Sequence, residues 1–162
     1  MSNTTVKPIP DGYAAVTPYL TISGASEAIE FYKKVFGAVE RMCMKAPDGK
    51  VAHAELVIGG SVLMLHEESP EWKAFSPRTI GDSASSVMLY VDDVDAVVQG
   101  AVDAGATLLM AVADQFYGDR SGSVKDPFGH KWHIATHVED VSPEEIERRA
   151  AEMFGQGQAR EA

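Results

Sequence analysis

Apolar and polar positions alternate along short stretches of this chain, and helical spacing interrupts the alternation twice. Leu20 and Ile22 alternate with polar neighbours, predicting a strand over 16–22. Ala28, Tyr32 and Val35 then fall at i, i+4 and i+7, with Ile29 and Phe36 beside them. This spacing predicts an amphipathic helix over 23–35, closed by Gly37. Three short strands are expected near 38–45, 51–58 and 61–66, with Pro47-Asp48-Gly49 and Gly59-Gly60 as turns. The same order then recurs. Val87 to Val91 reads as a strand; Val94, Val97, Val98 and Ala101 form a helical stripe between the N-cap Asp93 and Gly105. Strands follow near 106–112, 121–125 and 131–137, with Asp126-Pro127-Phe128-Gly129 as a turn before the last. Leu20 and Leu89 are 69 positions apart, Gly37 and Gly105 are 68 apart, and Leu63-Met64-Leu65 and Trp132-His133-Ile134 are again 69 apart. A shift held across three landmarks indicates two copies of one unit, neither able to cover its sheet alone.

Outside the repeat, residues 1–13 are polar, contain Pro8 and Pro10, and read as a loose arm. Residues 68–85, with Pro70, Pro77, Gly81 and four serines, read as the connection between the halves. Ser142-Pro143-Glu144-Glu145 is a capping box with proline at the first helical position. Ile146, Ala150, Met153 and Phe154 share one face of the helix it starts, which should end at Gly155 and dock on its own domain or on a partner subunit. The last seven residues read as a frayed tail.

Strand side chains alternate between faces, so the pattern can be sorted. Leu20 and Ile22, Leu63 and Leu65, Val87, Leu89 and Val91, and Trp132 and Ile134 make an apolar face suited to packing under helices. The other face is mixed: Thr17 and Tyr19, Met64 and His66, Ser86, Met88 and Tyr90, His133 and His137. A two-residue hairpin at Gly59-Gly60 pairs Ile58 with Ser61, Leu56 with Leu63, Glu55 with Met64 and His53 with His66. Opposed residues share a face, so His53 and Glu55 join the mixed one. Large tyrosine and methionine side chains among polar groups describe a small-molecule cavity better than plain solvent exposure.

The length of 162 residues suits one domain, or two half-domains sharing a core. The net charge of −10, from 24 acidic and 14 basic side chains, argues against nucleic acid and permits cationic ligands. The adjacent basic pairs Lys33-Lys34 and Arg148-Arg149 lie in helical patterns as solvated faces. No apolar run approaches the ~18 residues of a membrane span, and the first residues carry no secretion pattern. The single cysteine, Cys43, excludes an internal disulfide, reads as a strand residue, and fits a reducing cytoplasm.

Thr17-Pro18-Tyr19-Leu20, Ala28-Ile29-Glu30-Phe31-Tyr32 with Phe36-Gly37-Ala38, and Asp126-Pro127-Phe128-Gly129 together resemble the vicinal oxygen chelate superfamily. That superfamily includes glyoxalase I, fosfomycin- and bleomycin-resistance proteins and extradiol dioxygenases. His53-Ala54-Glu55-Leu56, Phe116-Tyr117-Gly118-Asp119-Arg120 and Trp132 through Ala135-Thr136-His137-Val138-Glu139-Asp140 resemble its PhnB-like branch. The resemblance covers roughly residues 14–138. It implies an α+β fold of two βαβββ modules, 14–67 and 86–138, whose curled mixed sheets form a shared groove, with the C-terminal helix at 142–155 appended. It also implies a homodimer. Metal-dependent members place ligands at the positions of Thr17, Met64, Ser86 and His133. Of these, His133 alone is a good ligand for a divalent ion, and a catalytic metal usually has three protein ligands. No metal cofactor is therefore expected from that set. An alternative divalent site would use His53, Glu55 and His66, which otherwise form a hydrogen-bonded polar cluster.

Glu55 and His133 are the candidate catalytic groups. His133 is either a general base or a pocket-lining hydrogen-bonder, and Glu55 would serve as a base if burial raised its pKa. Thr17 and Ser86 are candidate ligand contacts. Tyr19, Tyr90, Met64 and Met88 either stack on a flat ligand or pack the groove. Residues 116–120 read as a loop over the groove, with Tyr117 on the ligand and Arg120 either free for an anion or paired with Asp119 or a glutamate. Two functions follow: a small-molecule enzyme of lyase, isomerase or group-transfer type, or a non-catalytic protein that sequesters a drug or metabolite, as bleomycin-resistance proteins do.

Overall fold

The structure, a computed structural model, describes residues 6–158. The first module comprises β1 (Tyr19–Ile22), α1 (Ala25–Phe36), β2 (Val39–Lys45), β3 (Val51–Ile58) and β4 (Ser61–Glu67). The second comprises β5 (Ser86–Tyr90), α3 (Val94–Asp103), β6 (Thr107–Asp114), β7 (Asp119–Lys125) and β8 (Lys131–His137). The connection holds a 3₁₀ turn at Pro70–Trp72 and a short helix α2 (Pro77–Ile80); α4 (Pro143–Gln158) follows the second module. The sheets run β1-β4-β3-β2 and β5-β8-β7-β6. In each, the first strand lies parallel to the last, as a helical crossover requires, and the remaining pairs are antiparallel. The architecture is thus α+β, two βαβββ modules and a C-terminal helix.

Several element ends shift by one to three residues from the sequence reading, and three of the shifts have a consequence. The first strand starts at Tyr19, because Pro18 has no N–H to donate. The seventh starts at Asp119, so Asp119 and Arg120 belong to a strand and not to a loop. The last helix passes through Gly155 to Gln158. Of the expected frayed tail, 156–158 continue this helix and 159–162 lie outside the described residues, as do residues 1–5 of the arm.

The Gly59-Gly60 hairpin pairs Ile58 with Ser61, Leu56 with Leu63 and Glu55 with Met64. The apolar face is buried accordingly: Ile22, Leu56, Leu63, Leu65, Trp132 and Ile134 form one core with α1 and α3. That core spans both modules. Tyr32 and Phe36 of α1 pack on Trp132 of β8, and Phe31 and Tyr32 on Phe128. At its centre the buried Asp126 carboxylate takes four donors: Tyr32 Oη at 2.6 Å, and Trp132 Nε1, Phe128 N and His130 N at 2.9 Å each. From outside, Arg78 donates twice to Pro127 O and once to Ser23 O, tying the connection to both modules.

Candidate functional site

One row of side chains crosses the open face of each sheet. In the first module Tyr19 on β1 is level with Met64 on β4, Met64 with Glu55 on β3, and Glu55 with Met42 on β2. In the second, Met88, His133, Ser123 and Met110 occupy the same four places. The duplicated backbone therefore carries two different chemistries. The helix faces of the modules share one core, while the open faces are left bare in the single chain: Tyr19, Met42, Met44, Met88, Met110 and Tyr90 are all exposed.

The first row carries a hydrogen-bonded chain. Glu55 is only 5 % exposed. It accepts the Tyr13 hydroxyl on both oxygens, at 2.7 and 2.9 Å, and His53 Nε2 at 3.3 Å. Arg41 Nε stands 3.7 Å from it, and the same guanidinium lies over the Tyr13 ring, 4.4 Å from its centroid. On the far side of the imidazole, His53 Nδ1 lies 3.0 Å from the Tyr19 hydroxyl. The Tyr13 hydrogen bond, assisted by His53 and Arg41, holds the Glu55 carboxyl below its ordinary pKa even though burial opposes this. The reverse effect raises the Tyr13 phenol. Glu55 is thus ionised at neutral pH and cannot be the raised-pKa base the sequence suggested. An ionised carboxylate only accepts, which puts the imidazole proton on Nε2 and leaves Nδ1 to accept from Tyr19. The orienting partner absent around His133 is present around His53.

His66 does not join this chain. Its Nδ1 lies 2.8 Å from the Glu67 carbonyl oxygen and must donate to it; its Nε2 then accepts from Thr21 Oγ1 at 3.0 Å. Both ring nitrogens are occupied, so the proposed ion site of His53, Glu55 and His66 does not form, and among the described residues no three His, Cys, Asp or Glu side chains are placed to hold a metal ion. The other proposed set fails on chemistry: Met64 offers a thioether, Thr17 donates its hydroxyl to Ala14 O, and Ser86 is a neutral hydroxyl. Met64 and His133 also lie in different sheets. These residues do not fit a divalent ion, and no step is derived through one.

The second row is looser. His133 is exposed between Met88 and Ser123, and no hydrogen bond to a described residue orients it. Beyond it, the buried Asp119 accepts Tyr90 Oη at 2.8 Å and pairs with His137 Nδ1 at 2.8 Å, while His137 Nε2 meets Asp140 at 3.0 Å. Asp140 and Asp119 together raise the His137 pKa, and Asp119 raises that of Tyr90. Tyr117 lines a hollow with Tyr90, Asp119 and His137. Arg120 is not free for an anion: it is bidentate to Asp95 at 2.7 and 2.8 Å and bonds Asp114 at 3.0 Å. Strand alternation explains this, because Arg120 shares its face with Val124, under α3. Glu55 lies on β3 of one sheet and His133 on β8 of the other, so the two candidate catalytic residues stand in separate rows.

Tyr13, Arg41, Met42 and Met44 were invisible in the sequence pattern. Tyr13 sits in an aperiodic polar arm, and the two register shifts of β2 defeat simple alternation there.

Residues 14–134 match the family model described as the Glyoxalase/Bleomycin resistance protein/Dioxygenase superfamily. The chain is 42% identical over 146 residues to the uncharacterized protein Mb0911c of Mycobacterium bovis, covering 88% of this chain and 94% of that one. Among solved structures it resembles TioX from Micromonospora sp. ML1, with 25% identity, a TM-score of 0.60, and coverage of 77% of this chain and 99% of that one. The PhnB protein from Bacillus cereus shares the fold at a TM-score of 0.60 and 20% identity, over 76% of this chain and 99% of that one. The duplicated βαβββ order, the open polar rows and the family match over three quarters of the chain agree, and the protein belongs to the Glyoxalase/Bleomycin resistance protein/Dioxygenase superfamily.

Proposed function

We propose that this chain binds a small molecule against the open face of the first module and moves a proton on it, with Tyr19, His53 and Glu55 working as one relay. The observation that carries the reading is the continuous chain Tyr19 Oη–His53 Nδ1, 3.0 Å, and His53 Nε2–Glu55 Oε1, 3.3 Å, running from a 55 % exposed phenol to a buried carboxylate. A passive binding face has no need of a buried anion aligning an imidazole on a solvent-facing hydroxyl. In the forward step Tyr19 oxygen takes a proton from an acidic C–H or O–H of the ligand as its own proton passes to His53 Nδ1. The resulting imidazolium is stabilised by ionised Glu55, and the reverse transfer returns a proton to a different ligand atom. Such chemistry is of isomerase or lyase type and needs no metal-bound intermediate. Met42, Met44 and Met64 surround the relay with adaptable apolar contacts.

The test is ¹H NMR in D₂O with a panel of small carbonyl compounds and hydroxy acids. Loss of a ligand C–H signal, or conversion of the ligand, is expected with the native protein and not with His53→Gln or Tyr19→Phe. A ligand held tightly but neither exchanged nor converted, with equal affinity for the native protein and His53→Gln, would refute the relay and assign the sequestering function instead.

A further inference from the structure

A second structural element adjoins the relay and is used by nothing described so far. A hollow of about 680 Å³ opens between the β2–β3 turn and the segment after β4, within the range of small-molecule sites. Its floor includes Tyr19 and His66, whose rings meet edge to face at 5.0 Å, so it begins where the relay ends. Its outer wall is Trp72, 84 % exposed. That indole is not on a loose segment. Ser69 and Ala74 form a two-way β-bridge at 2.9 and 3.0 Å, the 3₁₀ turn Pro70–Trp72 fills the loop, and Lys73 closes it in the left-handed region at φ 56°. A non-glycine residue held there and a large indole left in water are both unfavourable, and neither adds to the core.

The charges lining the hollow are mostly negative. Asp48, Glu67, Glu68 and Glu71 line it against the single Lys50. Glu67 is fixed on the N–H groups of Gly24 and Ala25, and Glu68 on Ser76 N and Thr79, so these two supply field while Glu71 stays exposed beside the indole. A flat surface for stacking inside a negative field suits a cation spread over a ring system.

We infer that this hollow is the body-binding part of the ligand site and takes a planar, positively charged aromatic or heteroaromatic group, stacked on Trp72 and directed by Glu71. The inference rests on the relay for the statement that the reacting end lies at Tyr19, but the binding itself can be measured without turnover. The chain has two tryptophans, and Trp132 is buried, so quenchable indole emission reports Trp72. Titration of the full-length protein with proflavine, a tricyclic cation, should quench that emission saturably. Anthracene-2-sulfonate, a tricyclic anion, should not. Because Trp72 is exposed, Trp72→Ala should fold normally, and proflavine anisotropy should show binding weakened about tenfold, the scale of losing a central aromatic contact. Glu71→Lys should reverse the preference between the two probes. His53→Gln should leave proflavine binding intact, so failure of the proton relay and failure of this site are separable. Unsaturable quenching, equal affinity for the anion, or unchanged affinity in Trp72→Ala would overturn the inference.

Discussion

Replacing Asp126 by Asn tests whether a single carboxylate couples the two modules. In the native protein Oδ1 accepts Phe128 N and His130 N, and Oδ2 accepts Tyr32 Oη at 2.6 Å and Trp132 Nε1 at 2.9 Å. Asparagine can keep the two backbone bonds with its carbonyl oxygen. Its NH₂ group then faces two former donors. The Tyr32 hydroxyl can rotate to accept, whereas the indole N–H cannot. The change therefore leaves one buried donor unpaired and weakens a charge-assisted bond, for a loss of about 3 kcal/mol. For a chain of this length such a loss lowers Tm by about 6–12 °C. Tyr32→Phe removes one hydrogen bond and leaves Oδ2 with Trp132, so it should cost about half as much. Urea unfolding followed by indole emission suits the measurement, because Trp132 is buried in this network while Trp72 is already in water. Tyr32 lies in α1 of the first module and Asp126 in the second, so both variants should still unfold in one transition. A loss below about 1 kcal/mol for Asp126→Asn, or a Tyr32→Phe effect as large as that of Asp126→Asn, would refute this account of the core.

Two further outcomes follow from single side chains. Ser121 Oγ is buried and has no hydrogen-bond partner among the described residues, so Ser121→Ala should raise stability by about 1 kcal/mol in the same urea assay, and destabilisation would show a hydrogen bond at that hydroxyl. His137 has its pKa raised by Asp140 and Asp119. Its contribution to stability is complete below the unfolded value of about 6.5 and is lost as pH rises through the higher folded value. Stability relative to His137→Asn should therefore decline across that window, and a native-minus-variant difference that grew with pH would reverse the assignment.

How much of this was written in the pattern of residues varies with the range of the interaction. Strand faces were legible because alternation is local: sorting Leu63 from Met64 and Leu89 from Met88 requires a period of two, and the Gly59-Gly60 turn then sets the register that places Glu55 beside Met64. The structural role of Asp126 was legible as a turn, though not its grip on Tyr32, 94 positions away. The relay was legible only in pieces. His53 and Glu55 were placed on the right face, but the protonation state of Glu55 depends on Tyr13, whose arm has neither apolar periodicity nor a turn signal that points to β3. Arg120 was misplaced because a loop was expected where β7 had already begun, and one residue of strand decides which face a side chain takes.

The two rows also show where selection was constrained by packing and where it was not. Leu65 and Ile134 occupy matching places in the shared core, and both are fully buried aliphatic side chains. Three of the four open-face positions diverge, Tyr19 against Met88, Met64 against His133 and Glu55 against Ser123, while Met42 and Met110 match. Two positions along from Glu55 and Ser123, alternation puts His53 in one module and Ser121 in the other. The first is bonded on both ring nitrogens; the second is a buried hydroxyl with no partner among the described residues. Fold stability alone favours a small apolar residue at either place. The imidazole therefore needs the Tyr13–Glu55 pair to hold it, and that pair is anchored by an arm outside the repeat. An assembly drawn from three separate segments around one histidine is costly for a surface to maintain, and it ends on the exposed hydroxyl of Tyr19, where the proposed proton transfer would take place.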